Sequence, residues 1–561
     1  MIERNNKQSV AQTDRSIIEA EVDAVVVGAG FAGLYALHRL RELGLSVIGF
    51  EAAPDVGGTW YWNRYPGVRC DVPSLLYSYS WSEELRRDWR WSEKYAAQSE
   101  ILRYIGFAAD RYRLRELIRF NTRVVAASFD EAAAGWTVRT DRGDSVRARF
   151  CIMATGAISV PNTPQVPGLE DFHGPVYHTA RWPQEPVDFS GLRVGVIGTG
   201  SSGIQAIPKI AEQARHLTVF QRTPNYSIPS RNRPLDEDDH RKFEAVFETH
   251  MASLERADFG RVPPNAHSAP IPSRETQWRR YEELWQEGGG GFLYAYPNIL
   301  THHEVNDVAC EFVRQKIRET VKDPKTAAAL CPTDYPLGVK RICVDSHYFE
   351  TFNRPNVALV NLREAPITRI TTDAVETSAQ RVEVDALVFA TGFDALTGAL
   401  LGMEITGRDG LSLKQAWAEG PKTYLGLGVA GFPNLFTVTG PGSPSVIGNV
   451  IANGEHHVDW LIQCIEHMRE HGLQTIEPEA AAQQEWGRHV VEVASRTLFP
   501  EANSWYLGVN IPGKPRVFMP YVGAGYRHRC AEVAADGYRG FRFGGEPSPA
   551  QRDVPSEGAV G

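Results

Sequence analysis

The chain has 561 residues, 42% hydrophobic and 23% charged, with a formal net charge of −9 at pH 7. That length can bury large cores in two or three domains, and the negative balance disfavours nucleic acid and anionic membrane surfaces as partners. No apolar run approaches the roughly 20 residues of a membrane span. The polar opening MIERNNKQSVAQTDRS lacks a signal peptide's apolar stretch, and seven scattered cysteines form neither a CxxC pair nor a zinc-like cluster. A cytoplasmic location, no metal site and no redox-active dithiol are the expectations.

Residues 1–20 are polar and expected to be disordered. The apolar run Ala24 to Val27 then reads as a strand, GAGFAG (Gly28, Gly30, Phe31, Ala32 and Gly33 at its key places) as a tight turn, and LYALHRLREL as a helix. Gly28 permits the turn, Gly30 lets the backbone approach a pyrophosphate, Gly33 lets helix and strand pack closely, and the helix N-terminus stabilises phosphate charge. The next strand, LSVIGFE, ends in Glu51, placed to accept hydrogen bonds from a ribose whose 2′-hydroxyl is free. The strand ARFCIM with Ala154 to Gly156 closes this unit.

A second unit repeats the grammar. RVGVI is the strand, GTGSSG the loop (Gly198, Thr199, Gly200, Ser201, Ser202, Gly203) and SSGIQAIPKIAEQA the helix. Its following strand carries Arg222 and Thr223 in place of an acid, a pair that matches a 2′-phosphate and favours NADPH over NADH. Two such loops in full strand–turn–helix context indicate two dinucleotides held at once. From Pro234 to Asp334 the sequence is charged, Trp- and Tyr-bearing and helix-like, and ALVFATGFD, ending at Asp394, resembles the first closing strand. The expected architecture is α/β with two Rossmann-like domains: a first, FAD-type domain of residues 21–156 and 385–544, an NADP-type domain of 157–233 and 335–384 inserted in it, a helical insertion of 234–334, and a disordered tail of 545–561.

FHGPVYHTARWP fits F-x-G-x-x-x-H-x-x-x-W-P through Phe172, Gly174, His178, Trp182 and Pro183. GGTWYWNRYPGVRCD supplies Gly58, Trp60, Tyr65, Pro66, Gly67 and Asp71 at matching places. With DYPLGVKR, GFPNLFTVTGPGSPS and NSWYLGVNIPGKPRVFMPY, nearly the whole chain resembles the type I Baeyer-Villiger monooxygenases, and is most similar to their phenylacetone and steroid monooxygenase branch. The resemblance implies FAD and NADPH as cofactors, O₂ and a small-molecule ketone as substrates, and an ester or lactone formed through a C4a-peroxyflavin; the sequence does not fix the oligomeric state, for which a monomer is the expectation.

It also implies residue roles. Arg341 is the fixed cation beside the reacting atoms and Asp71 the carboxylate that orients it; taken as residue types alone, they read as a salt bridge and a capping carboxylate. Lys340 joins Arg222 and Thr223 at the 2′-phosphate, Trp505 lies near the nicotinamide half, Trp60, Tyr77 and the backbone of Val124 contact FAD, and Thr59 and Arg69 are further cofactor-binding residues. His178 is a hinge or coupling residue in the linker rather than a general base. Ser443, Ser445, Val446 and Ile447 line the substrate pocket, where small residues leave room for a bulky ketone. Electrophilic oxygenation of nitrogen or sulfur, and a catalytically idle NADPH-binding flavoprotein, stand as the alternatives.

Overall fold

The computed structural model describes residues 17–257 and 262–545; the expected disorder of residues 1–16 and 546–561 lies outside the described residues. The first sheet runs in the order Glu404–Thr406, Val124–Asp130, Gly135–Thr140, Ser145–Met153, Glu19–Val27, Val47–Phe50, Ile118–Arg119, with Leu435–Thr437 also paired to Ser145–Met153. Its dinucleotide-binding part is parallel: Val27 lies opposite both Phe50 and Met153. Ala24, Val25 and Val26 are fully buried, as a strand covered on both faces requires, which is why this stretch reads as an unbroken apolar run. The strand begins at Glu19, paired with Ser145, so order starts before the expected residue 21.

The second sheet runs in the order Val357–Asn361, His216–Gln221, Arg193–Ile197, Ala386–Phe389, Val176–His178, with every neighbour parallel. Ala386–Phe389 therefore belongs to the second sheet, and the expected return to the first domain at residue 385 comes too early. The reason lies in the repeated grammar, because each sheet is closed by its own strand ending in Ala-Thr-Gly. A β-carbon on Gly28 would collide with the Ala154 carbonyl and one on Gly198 with the Ala390 carbonyl, at φ of 107° and 111°. Gly33 and Gly203 stand against the carbonyls of Gly28 and Gly198 in the same way.

The region after Pro234 forms the helices Glu237–Ala257, Arg274–Glu287, His303–Thr320 and Pro324–Leu330. The apolar faces of Arg274–Glu287, His303–Thr320 and Pro324–Leu330 continue the core under the second sheet: Tyr281, Phe312 and Leu330 share one cluster with Val194, Ile204 and Tyr506. Among the described residues no helix is long and apolar enough to cross a membrane, and no group of side chains could hold a metal ion. All seven cysteines are free and buried.

Candidate active site

A cleft of about 1120 Å³ contains both glycine loops, with Gly28 and Gly30 on one side and Gly198 and Gly200 on the other. Gly30 and Gly200 cap the helices Phe31–Glu42 and Ser201–Gln213 without any side-chain acceptor, so unpaired helical N–H groups face the cleft. Neither glycine has positive φ (−82° and −79°). A β-carbon at Gly30 would approach nothing closer than 3.6 Å, and one at Gly200 would meet nothing within 4 Å. The protein itself sets no steric demand for glycine at these positions, and the bare backbone there is open to close approach by a group such as a pyrophosphate.

At the first loop, Glu51 is only 6% exposed and accepts the N–H groups of Ala29 at 2.7 Å and Ala53 at 2.8 Å. Burial pushes its carboxyl pKa up and these backbone bonds oppose the rise. Thr59, Trp60, Arg69, Tyr77 and Val124 line the cleft together with Glu51 and the first loop. Trp60 Nε1 donates to the Tyr77 hydroxyl at 3.1 Å, and Tyr77 meets the Phe31 ring edge-on at 5.6 Å. The Nη1 of Arg69 is committed to Glu93 at 2.6 Å and the Tyr95 carbonyl at 2.9 Å.

At the second loop, the Thr199 hydroxyl donates to the Thr223 carbonyl at 3.0 Å, and Ser201 Oγ lies 3.3 Å from Cys343 Sγ. Arg222, Thr223, Ser202 and Lys340 line the wall. Lys340 Nζ sits 4.2 Å from the Tyr335 ring centroid. Burial lowers its pKa to about 8, Arg222 and Arg363 acting in the same direction against Asp334. Crowded cations with a depressed amine make a site that an anion would complete.

The same cleft holds Arg341, from the turn before the strand Cys343–Asp345, and Asp71, at the end of the Gly57–Asp71 loop. Arg341 Nε and Nη2 donate to the two oxygens of Asp71, each at 2.6 Å, and Nη1 donates to the Val446 carbonyl at 3.0 Å. Burial opposes the guanidinium charge, but Asp71 outweighs it and raises the Arg341 pKa above its ordinary value. Trp505 also lines the cleft, its ring 4.3 Å from that of Tyr506.

One contact absent from the sequence reading ties the two halves. Gln205, on the helix after the second loop, accepts from the Tyr65 hydroxyl at 2.9 Å and donates to the Arg69 carbonyl at 3.0 Å. The Asp71-bearing loop is thereby clipped to the nucleotide helix. Gly67 (φ 81°) lies so close to the Gln205 carbonyl that no side chain fits. A polar residue on a helix carries no mark of such a role in sequence.

Phe172, Gly174, His178, Trp182 and Pro183 lie outside the cleft wall. Phe172 packs into the core of the second sheet, and its ring together with the Asp385 carbonyl leaves Gly174 no room for a β-carbon. Trp182 packs on Tyr177 and Phe189, with ring centroids 5.3 Å and 6.2 Å apart. His178 Nδ1 accepts the Ala180 N–H at 3.0 Å, so Nε2 carries the proton and faces the Asn162 carbonyl at 3.3 Å and Thr391 Oγ1 at 3.2 Å. Burial lowers its pKa, and the neutral ring buckles together the chain segments at Asn162 and Thr391.

The substrate-pocket assignment needs correction. Ser443 and Ser445 are 0% exposed and Ile447 is 1% exposed, and none of them lines the cleft, whereas Val446 and Gly448 do. The Ser443 hydroxyl donates to the Gly440 carbonyl at 2.7 Å. The chain turns at Ser445 (φ 32°), presenting residues 446 and 448 and burying 445 and 447.

Two Rossmann sheets facing one cleft, with a fixed cation among the nucleotide loops, define a flavin- and pyridine-nucleotide-dependent oxidoreductase. The family described as pyridine nucleotide-disulphide oxidoreductase matches residues 25–280; since every cysteine is free and buried, the match reflects the two-dinucleotide architecture rather than dithiol chemistry. The 2-oxo-Δ³-4,5,5-trimethylcyclopentenylacetyl-CoA monooxygenase of Pseudomonas putida is 41% identical over 540 residues, covering 93% of this chain and 98% of that protein. A Baeyer-Villiger monooxygenase of Pseudooceanicola batsensis is 41% identical over 529 residues, covering 93% and 96%. The solved structure of an oxidised steroid monooxygenase bound to NADP superposes with a TM-score of 0.88 at 51% identity, covering 93% of this chain and 99% of that one. The chain belongs to the flavin-dependent type I Baeyer-Villiger monooxygenases, and FAD and NADPH are its cofactors.

Proposed function

We propose that Arg341, oriented by Asp71, is the cation that stabilises developing negative charge as this enzyme inserts one atom of O₂ beside a ketone carbonyl to give an ester or lactone. The observation that carries this reading is the two-pronged Arg341–Asp71 pair inside the cleft that holds both glycine loops. Three of the guanidinium N–H groups are held by Asp71 and Val446, which leaves two donors of a fixed plane for an oxyanion. An arginine paired in this way stays charged at any working pH.

FAD, when bound, supplies hydride acceptance and oxygen activation. The protein's part is placement. Gly30 and the helix behind it take one pyrophosphate, with Glu51 on the ribose; Gly200 takes the other, with Lys340, Arg222 and Thr223 on the 2′-phosphate. Trp505 walls the nicotinamide end and helps exclude water. Val446 and Gly448 border the substrate space, and the 51% identity to a steroid monooxygenase supports bulky ketones as the substrate class. The net negative charge and the free, buried cysteines support work in a reducing, cytoplasmic setting on small molecules.

The test incubates the protein with NADPH, ¹⁸O₂ and a panel of linear, cyclic, aryl and steroid ketones, followed by mass spectrometry. Labelled ester from the bulky members is the expected result. Turnover of small cyclic ketones alone would overturn the substrate class, and hydrogen peroxide without ester from any ketone would overturn the reaction.

A further inference from the structure

Arg181 belongs to the HTARWP stretch of the linker, yet unlike His178 and Trp182 it reaches the cleft. Its guanidinium carbon lies 4.5 Å from the centroid of the Trp62 ring, which also lines the cleft. Nη1 donates to the Ala180 carbonyl at 2.9 Å and Nη2 to the Ser159 carbonyl at 3.0 Å. No carboxylate among the described residues forms an ion pair with it. The charged groups that act on it are Arg123, which repels it, and Glu51, whose oxygens already accept two backbone N–H groups. Burial first, then Arg123, push its pKa down to about 10.

A partly buried cation held by two neutral carbonyls and facing a second cation is costly to the folded chain. Such an arrangement is completed by an anion. Arg123 and Arg181 share the Glu51 side of the cleft with Thr122 and Val124, whereas Arg222 and Lys340 flank the second loop. The first loop and Glu51 mark this side as the site of a dinucleotide whose 2′-hydroxyl is free, which is FAD. Over the Trp62 ring, the planar guanidinium keeps its remaining N–H donors in one plane, the arrangement that suits phosphate oxygens.

We propose that Arg181, lying over the Trp62 ring, clamps the anionic adenylate half of FAD, so that the linker between the two nucleotide sheets itself holds the cofactor. The proposal rests on the assignment of FAD to the first loop. It makes FAD retention depend on a linker whose neighbours Phe172 and Trp182 are anchored in the core of the second sheet.

The test uses the holoenzyme and its Arg181→Ala and Arg181→Lys variants. Each is diluted through the nanomolar to micromolar range, and released FAD is read by free-flavin fluorescence. Arg181→Ala is expected to weaken FAD binding about 10- to 100-fold, the loss of one or two charge-assisted contacts, and Arg181→Lys to recover part of it. NADP⁺ affinity, read from the bound-flavin difference spectrum, and melting temperature at saturating FAD should stay close to those of the parent. Should Arg181→Ala fail to fold, Arg181→Gln removes the charge while keeping an amide donor for Ser159, and the same losses are expected. FAD affinity within about twofold of the parent in the uncharged variant, or equal losses of FAD and NADP⁺ affinity with a lower melting temperature, would overturn the proposal. A parent protein that never carries FAD would instead refute the assignment on which it rests.

Discussion

Replacing Arg341 with alanine separates the two half-reactions. The side chain contributes three hydrogen bonds to protein and two free donors to the cleft. Loss of a single oxyanion donor from a preorganised site costs about 2.7–4 kcal/mol, and at about 1.36 kcal/mol per decade the rate of ester formation should fall at least about 10²-fold. On the proposed placement of NADPH by Lys340, Arg222 and Gly200, anaerobic bleaching of the flavin by NADPH should slow by no more than about tenfold. The variant also strands Asp71. A fully buried pair broken on one side costs about 3–5 kcal/mol; with Arg341 and Asp71 exposed by 24% and 22%, about 2–3 kcal/mol is the expected loss of stability. Arg341→Lys, a point charge without the fork, should fall between parent and alanine. Stopped-flow absorbance measures the reduction and ¹⁸O-labelled ester the oxygenation. Ester formation within about tenfold of the parent in the alanine variant would refute the role given to Arg341.

Three further outcomes follow from other contacts. Lys340 has a pKa near 8 that a bound dianion would raise, so NADPH binding takes up a proton above that pH; KM for NADPH should climb as pH rises past about 8, KM for NADH should not, and Lys340→Ala should flatten the difference. Gly200→Ala should fold normally and raise KM for NADPH at least about tenfold by crowding the pyrophosphate, whereas Gly203→Ala, which drives a methyl into the Gly198 carbonyl, should lower the melting temperature first. Glu455, on the helix Val450–Glu470, accepts from the Ser80 N–H at 2.8 Å and from the Ser80 hydroxyl, and burial pushes its pKa up from 4.5 to about 7. Its raised folded pKa means a contribution to stability that is present below pH 4.5 and lost as pH rises through 7, on the order of 3 kcal/mol. Glu455→Gln should narrow the difference in melting temperature between pH 5 and pH 8, and an unchanged difference would contradict this account.

Short-range regularities were the legible part of the sequence. The four glycines at Gly28, Gly33, Gly198 and Gly203 meet steric demands that hold for any such turn, so their roles follow from spacing alone. Asp71 and Arg341 stand 270 positions apart, and only the resemblance of their surrounding motifs put them in one place. The errors came where sequence is degenerate. ALVFATG and FCIMATG are equivalent as patterns, and nothing local says which sheet each closes. The direction of Ser443, Ser445 and Ile447 depends on a turn at Ser445 whose positive φ a serine does not advertise. Gln205 and Arg181 act through carbonyls and a ring brought near by long-range folding, and the Val446 contact uses a main-chain oxygen that every residue type possesses.

That last contact separates inheritance from novelty in this enzyme. Because Arg341 is tethered to position 446 through the peptide oxygen, that bond does not depend on which side chain stands there, while the valine itself also packs against the neighbouring cores. If Val446 borders the substrate as proposed, substrate range can drift at this position while the cation keeps its tether. On the proposed roles of Val446 and Arg341, a library confined to this codon should yield altered ketone preference among variants that remain active, because the bond to Arg341 uses a main-chain oxygen that every residue carries.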